Sequence, residues 1–271
     1  MSHYFRLERQ GGAFLVSPTG GMLNAPCARW HRDFAERAKA LGCELILSLS
    51  YELFDAHCPE EWKQRAENDD PALTGWVPPS TLLSPAHAGA MTYLQAVART
   101  FAQIAADAGQ RVRFQVGEPW WWVMGDDRIC LYDAAAVTAF APASIPDVRA
   151  PMSAAQMATL DAAGAVLAAS TAALTAAVRS DHADAETLLL IYLPSVLDEA
   201  APEVRRANVP AGWAAPAFDV LQLEDYDWVT AGNGGATVRG IAAATARLGY
   251  AVHDQHYLGA AGRGRTAATP R

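Results

Sequence analysis

The chain has 271 residues, 51% of them hydrophobic and 9% aromatic, and its formal net charge at pH 7 is −8. This length is enough for one large domain with a sizeable core. The acidic balance argues against nucleic acid as a partner, because binding DNA or RNA requires a basic surface.

The sequence motifs exclude several other classes of protein. The four cysteines show neither CxxC nor metal-ligand spacing, so we expect reduced thiols. No G-x-G-x-x-G or P-loop motif is present, and we predict no cofactor. The first residues lack the apolar core of a signal peptide, and no stretch reads as a membrane span. We therefore expect a chain that is made in the cytoplasm and has no membrane span.

The predicted elements alternate between helices and strands along the whole chain. In the first half these are a hairpin at 4–16, a helix from Asn24 to Ala40, a strand at 43–50, a helix at 87–108 and a strand ending at Glu118. In the second half they are a short strand at 128–132, a helix at 152–179, strands at 186–193 and 218–224, a helix at 238–248 and a strand at 250–258. The strands are apolar throughout, which predicts a parallel sheet buried on both faces.

The segment around Glu118 is the most informative. Val112, Phe114 and Val116 alternate as in a strand, and Pro119 then stops the strand pairing. Glu118 is followed by Trp120, Trp121 and Trp122, and nearby apolar surface raises the pKa of a carboxyl group. Such a group suits a general acid acting on a sugar, since indole rings stack on sugar rings. The alternative is a salt-bridged Glu118 beside ordinary core tryptophans.

Polar and aromatic residues also mark the ends of the other predicted strands. They are Tyr51 and Glu52, Tyr192, Glu224 with Tyr226 and Trp228, and Asp254 with His256 and Tyr257. Functional groups gathered at the carboxyl ends of parallel strands are typical of a (β/α)8 TIM barrel. A doubly wound sheet would gather them at one switch point instead. We therefore predict an α/β fold of the TIM-barrel type, with Glu118, Glu224 and Asp254 as catalytic candidates and the others as substrate-binding candidates.

Metal and acyl-transfer sites are less favoured. His253, Asp254 and His256 suggest a metal site, but strand alternation places only 254 and 256 on one face. No third ligand is identifiable, so we predict no metal. No serine lies in a G-x-S-x-G motif, which argues against acyl transfer. Asp225 and Asp227 are interpreted as solvated loop charges.

Gly117-Glu118-Pro119 resembles the Asn-Glu-Pro-like motif of clan A glycoside hydrolases, whose acid/base glutamate ends the fourth barrel strand. The resemblance implies that Glu118 is the acid/base and that a nucleophile ends the seventh strand. Counting strands gives Asp254 for that position, or Glu224 if 128–132 is also a barrel strand. Gly117 replaces the family's asparagine, which puts the usual contact to the sugar 2-hydroxyl in doubt.

The phrases FQVGEPWWW, LILSLSYELF and VLQLEDYDWVTAGN more closely resemble the barrel domains of phage and gene transfer agent tail or baseplate proteins of alphaproteobacteria. This resemblance covers about residues 5–258. It implies a domain that cleaves or binds cell-envelope glycans, with tail or baseplate proteins as further partners and a place in the virion. Two functions stay open: a glycoside hydrolase, and an inactive glycan-binding or structural tail module.

The two ends of the sequence fit a complete barrel poorly. Only the hairpin at 4–16 could supply the first two strands, and the Gly/Ala/Arg-rich residues 259–271 contain no candidate for an eighth strand. We therefore expect a barrel domain over 1–258 that is incomplete at one or both ends. Two explanations stay open: a fragment of a longer protein, and a reading frame that is shifted at its end. We expect residues 259–271 to be disordered and dispensable.

Overall fold

The computed structural model describes residues 5–17 and 21–258 of the chain. Its strands are β1 (Leu7–Gln10), β2 (Ala13–Val16), β3 (Leu47–Ser50), β4 (Glu52–Phe54), β5 (Ser80–Leu82), β6 (Arg113–Gly117), β7 (Glu186–Tyr192), β8 (Val220–Glu224) and β9 (Gln255–Leu258). Its helices are α1 (Ala25–Ala40), α2 (Ala88–Asp107), α3 (Ala134–Phe140), α4 (Ala154–Asp181), α5 (Arg205–Asn208), α6 (Tyr226–Thr230) and α7 (Gly234–Leu248). The prediction of a disordered tail at 259–271 falls outside the described residues.

Five of the strands form one parallel sheet in the order β3-β6-β7-β8-β9. The outer face of this sheet contacts α2 and α4. Its side chains belong to the main hydrophobic core and include Leu49, Val116, Leu189 and Leu223. The parallel sheet, and the α/β class of the fold, are therefore as predicted.

The inner face of the sheet is more polar and strongly curved. Gln115 of β6 donates a side-chain hydrogen bond to Gln222 of β8, across the intervening strand β7. Gln222 in turn contacts His256 of β9, with 3.4 Å between the two nitrogens. Side chains two strands apart can meet only if the sheet curls toward this face, as a barrel wall does. The fold is thus TIM-like; within the described residues β3 and β9 are the two edges of the sheet.

Helix caps follow the sequence signals closely. The Asn24 side chain accepts a hydrogen bond from the backbone of Cys27 at 2.8 Å, which fixes the start of α1. Ser153 and Gln156 form a capping box at the start of α4. These helices begin where the sequence predicts because each cap satisfies backbone N–H groups that the first turn leaves unpaired.

The irregular segments differ more from prediction. The strand predicted at 43–50 extends only over β3, and the expected loop after it contains the antiparallel pair β4 and β5. Residues 128–132 do not join the sheet, because this segment makes only a single bridge, between Val123 and Ile129. It is therefore not an additional barrel strand. The short helices α3 and α6 were not predicted.

Helix α4 is, among the described helices, the one long and apolar enough in composition to cross a membrane. It packs against α2 and α5, and its buried residues include Leu160, Leu167 and Leu174. A Cβ atom at Gly164 would lie only 2.2 Å from the carbonyl oxygen of Arg206, so the two helices touch closely here. These contacts are those of a core helix.

Candidate functional site

The candidate site lies at the carboxyl edge of the sheet. This edge is formed by the last residues of the parallel strands, which are Ser50, Gly117, Tyr192, Glu224 and Leu258. Loops that follow these residues carry most of the side chains predicted from the sequence to be functional. The arrangement brings several carboxyl groups and aromatic rings together, as the polar strand ends indicated.

Glu118 directly follows β6 and has an unusual backbone. Its φ angle is +45°, in the left-handed region that a non-glycine residue adopts at a cost of about 1–2 kcal/mol. A Cβ atom on the preceding Gly117 would lie 2.7 Å from Oγ of Ser48. This close approach of β3 gives a physical reason for glycine at 117, where the glycosidase motif has asparagine.

Glu224 ends β8 and is only 2% exposed. Tyr226 donates a hydrogen bond to its Oε2 atom. Oε1 is also buried and has no hydrogen-bond donor among the residues that the structure describes. A hydrogen bond between the Glu118 and Glu224 side chains contributes to the raised pKa of Glu118. The two carboxyl groups therefore form a pair that meets across the end of β7.

The ionisable groups that act on Glu118 are themselves carboxyl groups. Burial raises the pKa of Glu118 to about 8, and the neighbouring Glu224 and then Glu52 add to the increase. Burial also raises the pKa of Glu52 in β4. A carboxyl group with a pKa near 8 holds its proton at neutral pH, which is unusual for glutamate.

Three tyrosines bind the carboxylates of this edge. Besides the Tyr226 bond, Tyr192 donates to Asp227 at 2.5 Å and Tyr257 donates to Asp225 at 2.5 Å. The rings of Tyr192 and Tyr226 stack, with centroids 6.2 Å apart. Asp225 is completely buried and also accepts a hydrogen bond from Thr237. Its interpretation as a solvated loop charge is therefore wrong, whereas Asp227 is exposed.

The three tryptophans have two different roles. Trp121 is fully buried, and its Nε1 donates to the carbonyl oxygen of Ala163 at 2.9 Å, so it is a core residue. Trp120 and Trp122 lie 6.1 Å apart between ring centroids, and Trp120 meets Tyr192 edge-on at 6.4 Å. These two tryptophans and Tyr192 line a groove of about 320 Å³. Nε1 of Trp120 is buried without a hydrogen-bond partner in the described part of the chain.

Asp254 does not belong to this site, and the prediction that it shares a cleft with Glu118 and Glu224 is wrong. Residues Val252–Asp254 form a 3-10 turn, and β9 begins only at Gln255. Asp254 therefore lies at the amino end of its strand, opposite the carboxyl edge. The sequence pattern of residues 250–254 resembles that of a strand, but in the structure these residues precede β9.

Other predicted binding residues also have structural roles. Tyr51 is fully buried and shares a hydrogen bond of 2.8 Å with Ser170 of α4. The Trp228 ring packs on Gly240 of α7, where a Cβ atom would lie 2.7 Å from it. His256 lies midway along the inner face beside Gln222. No group of three His, Cys, Asp or Glu side chains within 5–17 and 21–258 is arranged to hold a metal ion.

Comparison with models of known protein families identifies the family of this chain. The model of the family described as non-contractile tail sheath protein TIM barrel matches residues 1–267. The chain belongs to this family. The match confirms the predicted relationship to TIM barrels of phage tails. It does not show membership of glycoside hydrolase clan A. A search of curated proteins gave no match.

Proposed function

We propose that this non-contractile tail sheath TIM barrel is a structural module that associates with other tail proteins in a phage-like particle. The family match over residues 1–267 carries this proposal, because the family is described as a sheath protein of tails. It is the structural alternative of the two functions considered from the sequence. A sheath subunit acts through the surfaces that it presents to neighbouring proteins.

An exposed apolar surface beside β3 is the best candidate for such a contact. Trp30 and Phe34 of α1 stack at 5.2 Å and are 58% and 46% exposed. With Ile46 and Leu47 they line an apolar pocket of about 260 Å³ next to the edge strand β3. Contiguous exposed apolar surface and an unpaired strand edge are both typical of protein contacts.

Assembly can be tested by producing the chain together with the tail proteins of its own particle. We expect the wild-type chain to co-purify with tails and to be visible on them by electron microscopy. The double substitution Trp30→Ser and Phe34→Ser should abolish this, whereas Val137→Ser and Val252→Ser, at 45% and 83% exposed positions elsewhere, should not. A wild-type chain that never co-purifies with tails would contradict the proposal.

A second candidate function is cleavage of a glycosidic bond, with Glu118 as general acid and Glu224 as its partner. The raised pKa of Glu118 supports the acid role, and the groove beside Trp120 provides an aromatic wall for sugar rings. The unpaired Nε1 of Trp120 and Oε1 of Glu224 could bind sugar hydroxyls, which both donate and accept.

The spacing of the carboxyl groups ranks this function second. Retaining hydrolases separate their two carboxyl groups by about 5–5.5 Å and inverting ones by about 6.5–9.5 Å. Glu118 and Glu224 are within hydrogen-bonding reach, so they must separate before a sugar can lie between them. This geometry favours a module without turnover.

Hydrolysis can be tested with peptidoglycan, lipopolysaccharide and aryl glycosides. If the domain is an enzyme, Glu118→Gln should lower its rate by orders of magnitude and leave glycan binding intact. Asp254→Asn is the matched control, since Asp254 lies at the other end of the sheet. Absence of hydrolysis by the wild-type chain on all three substrate classes would leave the structural function alone.

A further inference from the structure

We propose that the apolar pocket beside β3 binds a loop of a second copy of this chain, the Trp76 loop (residues 75–79). Copies would then join head to tail. The inference rests on the proposed function, because it names the partner of the surface assigned there to contacts between tail proteins. It is supported by the pocket, by the loop, and by the match between them in area and charge.

The pocket reaches from exposed side chains to buried ones. Trp30 and Phe34 of α1 lie on its outer side, where they are 58% and 46% exposed. Its inner wall includes Phe101 of α2 and Phe114 of β6, and Phe114 is only 1% exposed. The volume of about 260 Å³ exceeds the roughly 150 Å³ of an engineered apolar cavity that binds benzene, so an indole ring has room here.

The Trp76 loop presents two large apolar side chains to solvent. Trp76 is 55% exposed and Val77 is 95% exposed. Two hydrogen bonds close the base of the loop: the backbone N–H of Thr74 donates to the carbonyl oxygen of Ser80 at 2.9 Å, and the N–H of Ser80 donates to Oγ1 of Thr74 at 2.9 Å. Two consecutive prolines follow Val77 and further restrict the backbone. A loop fixed in this way loses little conformational freedom on binding.

The pocket and the loop do not meet within one chain. The lining residues that the structure describes come from α1, α2, β6, residues 45–49 and Phe5, so the loop of the same copy does not fill the pocket. An apolar pocket and an exposed apolar group at different places on one surface pair head to tail when two copies meet. Such a contact repeats from copy to copy, in a closed ring or an open filament.

The exposed apolar area is of the size that a specific contact needs. Trp30, Phe34 and Ile46 of the pocket are 58%, 46% and 38% exposed. Together with Trp76 and Val77 they present roughly 500 Å² of apolar surface, since an aromatic side chain removes about 150–250 Å² when it is fully buried. A standard interface buries about 1,600 Å² in total, a little more than half of it apolar. These side chains alone therefore supply about half of the apolar area of such an interface.

Charge favours the same pairing. Helix α1, which supplies Trp30 and Phe34, carries four basic and two acidic residues. Residues 60–70, which lead to the loop, carry five acidic and two basic residues. Backbone hydrogen bonds hold this segment beside the loop's own hairpin, among them one from Ala72 to Gln64 at 2.9 Å. Opposite net charges attract the two surfaces and orient the copies as they approach.

Sedimentation velocity of the purified full chain tests this contact without other tail proteins. We expect species larger than dimers that increase from micromolar to millimolar concentration. The double substitution Trp76→Ser and Val77→Ser should leave a monomer, and so should Trp30→Ser with Phe34→Ser. A wild-type chain that stays monomeric throughout this range would overturn the proposal.

A mixture of the two double variants identifies the occupant of the pocket. Each variant keeps one of the two surfaces, so a one-to-one mixture should form dimers and nothing larger. If two pockets instead faced each other across a two-fold axis, the loop variant would still dimerise and the mixture would contain no new species. Either of those results would refute the loop as the occupant.

Controls separate lost contacts from lost folding. Val137→Ser with Val252→Ser changes two other positions, 45% and 83% exposed, and should associate like the wild type. Trp76 and Val77 are exposed, so the loop variant should melt within about 2 °C of the wild type. A loop variant that keeps this melting temperature and assembles like the wild type would contradict the proposed pairing.

Recovery on tails distinguishes this inference from the proposed function. A purified chain that stays monomeric, but is recovered on tails through Trp30 and Phe34, would overturn the pairing of copies and leave the structural function intact. Self-association through the Trp76 loop without recovery on tails would support the pairing and contradict the proposed function.

Discussion

Acidic side chains have different partners at the two ends of the parallel strands, here called the amino edge and the carboxyl edge of the sheet. At the amino edge, Arg113 binds Glu186, and Arg179 contacts Asp219 at 2.6 Å. At the carboxyl edge, the partners that the described residues provide for Glu224 and Asp225 are tyrosines and a threonine.

The pKa values reflect this difference. Burial acts to raise the pKa of Asp219, but hydrogen bonds from Thr187 and the charge of Arg179 outweigh it and hold the pKa below its usual range. At Glu118, burial and the neighbouring carboxyl groups act together and raise the pKa to about 8. Basic residues thus stabilise the ionised form of Asp219 at one end of the strands, whereas at the other end neighbouring carboxyl groups favour the protonated form of Glu118.

The amino edge should be the more sensitive to loss of a partner. Arg113→Ala leaves Glu186, a side chain that is only 15% exposed, without its closest cation. We expect a loss of about 2–3 kcal/mol in the free energy of unfolding, measured by urea denaturation. Arg99→Ala removes an exposed pair with Asp181 and should cost less than about 1 kcal/mol. Equal losses in both variants would show that the amino edge gains little from its ion pairs.

At the carboxyl edge, removing charge should instead stabilise the fold. Glu118 ionises near pH 4.5 when unfolded but near 8 when folded. Between these values the folded chain binds more protons than the unfolded chain, so this group makes stability fall as the pH rises. Glu118→Gln should remove that fall and gain on the order of 2 kcal/mol at pH 8. Thermal melting from pH 5 to 9 measures it; parallel profiles for the two proteins would contradict the assigned pKa.

Replacing a tyrosine of the carboxyl edge by phenylalanine should lower the free energy of unfolding more when the carboxylate that it binds is buried. Tyr226→Phe removes the hydrogen-bond donor from Oε2 of the buried Glu224 and should cost about 1–2 kcal/mol. Tyr192→Phe removes a bond to the exposed Asp227, which water can replace, so its effect should be below about 0.5 kcal/mol. Guanidinium chloride denaturation of both variants checks the order. The reverse order would mean that Glu224 finds another donor.

Asp254 provides the smallest expected effect. Its side chain is 44% exposed at the amino end of β9, and its ionic contact is His253 at 3.5 Å. Asp254→Asn should change the free energy of unfolding by less than about 0.5 kcal/mol, measured by urea denaturation. A loss as large as that expected for Arg113→Ala would show that the Asp254 carboxylate stabilises the fold through more than its contact with His253.

The sequence predicts the parallel sheet and its main helices well, because their signals are local. Asn24 and Ser153 cap helices where the sequence places them, and the alternation of Phe114 and Val116 identifies β6. Glu118 and Glu224 each follow or end a strand, so their meeting at one edge also follows from parallel pairing.

The remaining features depend on contacts between distant segments. Asp254 was misplaced because an apolar run does not reveal where strand pairing begins, and β9 starts only after the 3-10 turn. Burial of Asp225 results from Thr237 and Tyr257, which folding brings to it from α7 and β9. The tryptophan run likewise cannot indicate that Trp121 enters the core through Asn208 and Ala163.

The left-handed backbone of Glu118 has a consequence for how this position can vary. The residue costs stability through its conformation and again through the burial of its carboxyl group, and glycine would relieve both costs at once. On folding alone, sequences should drift toward glycine or asparagine here. A glutamate kept at this position in tail sheath barrels from different particles would therefore be evidence of selection for the carboxyl group itself. Frequent replacement by glycine would instead indicate that the family does not need this carboxyl group and that this chain tolerates its cost in stability.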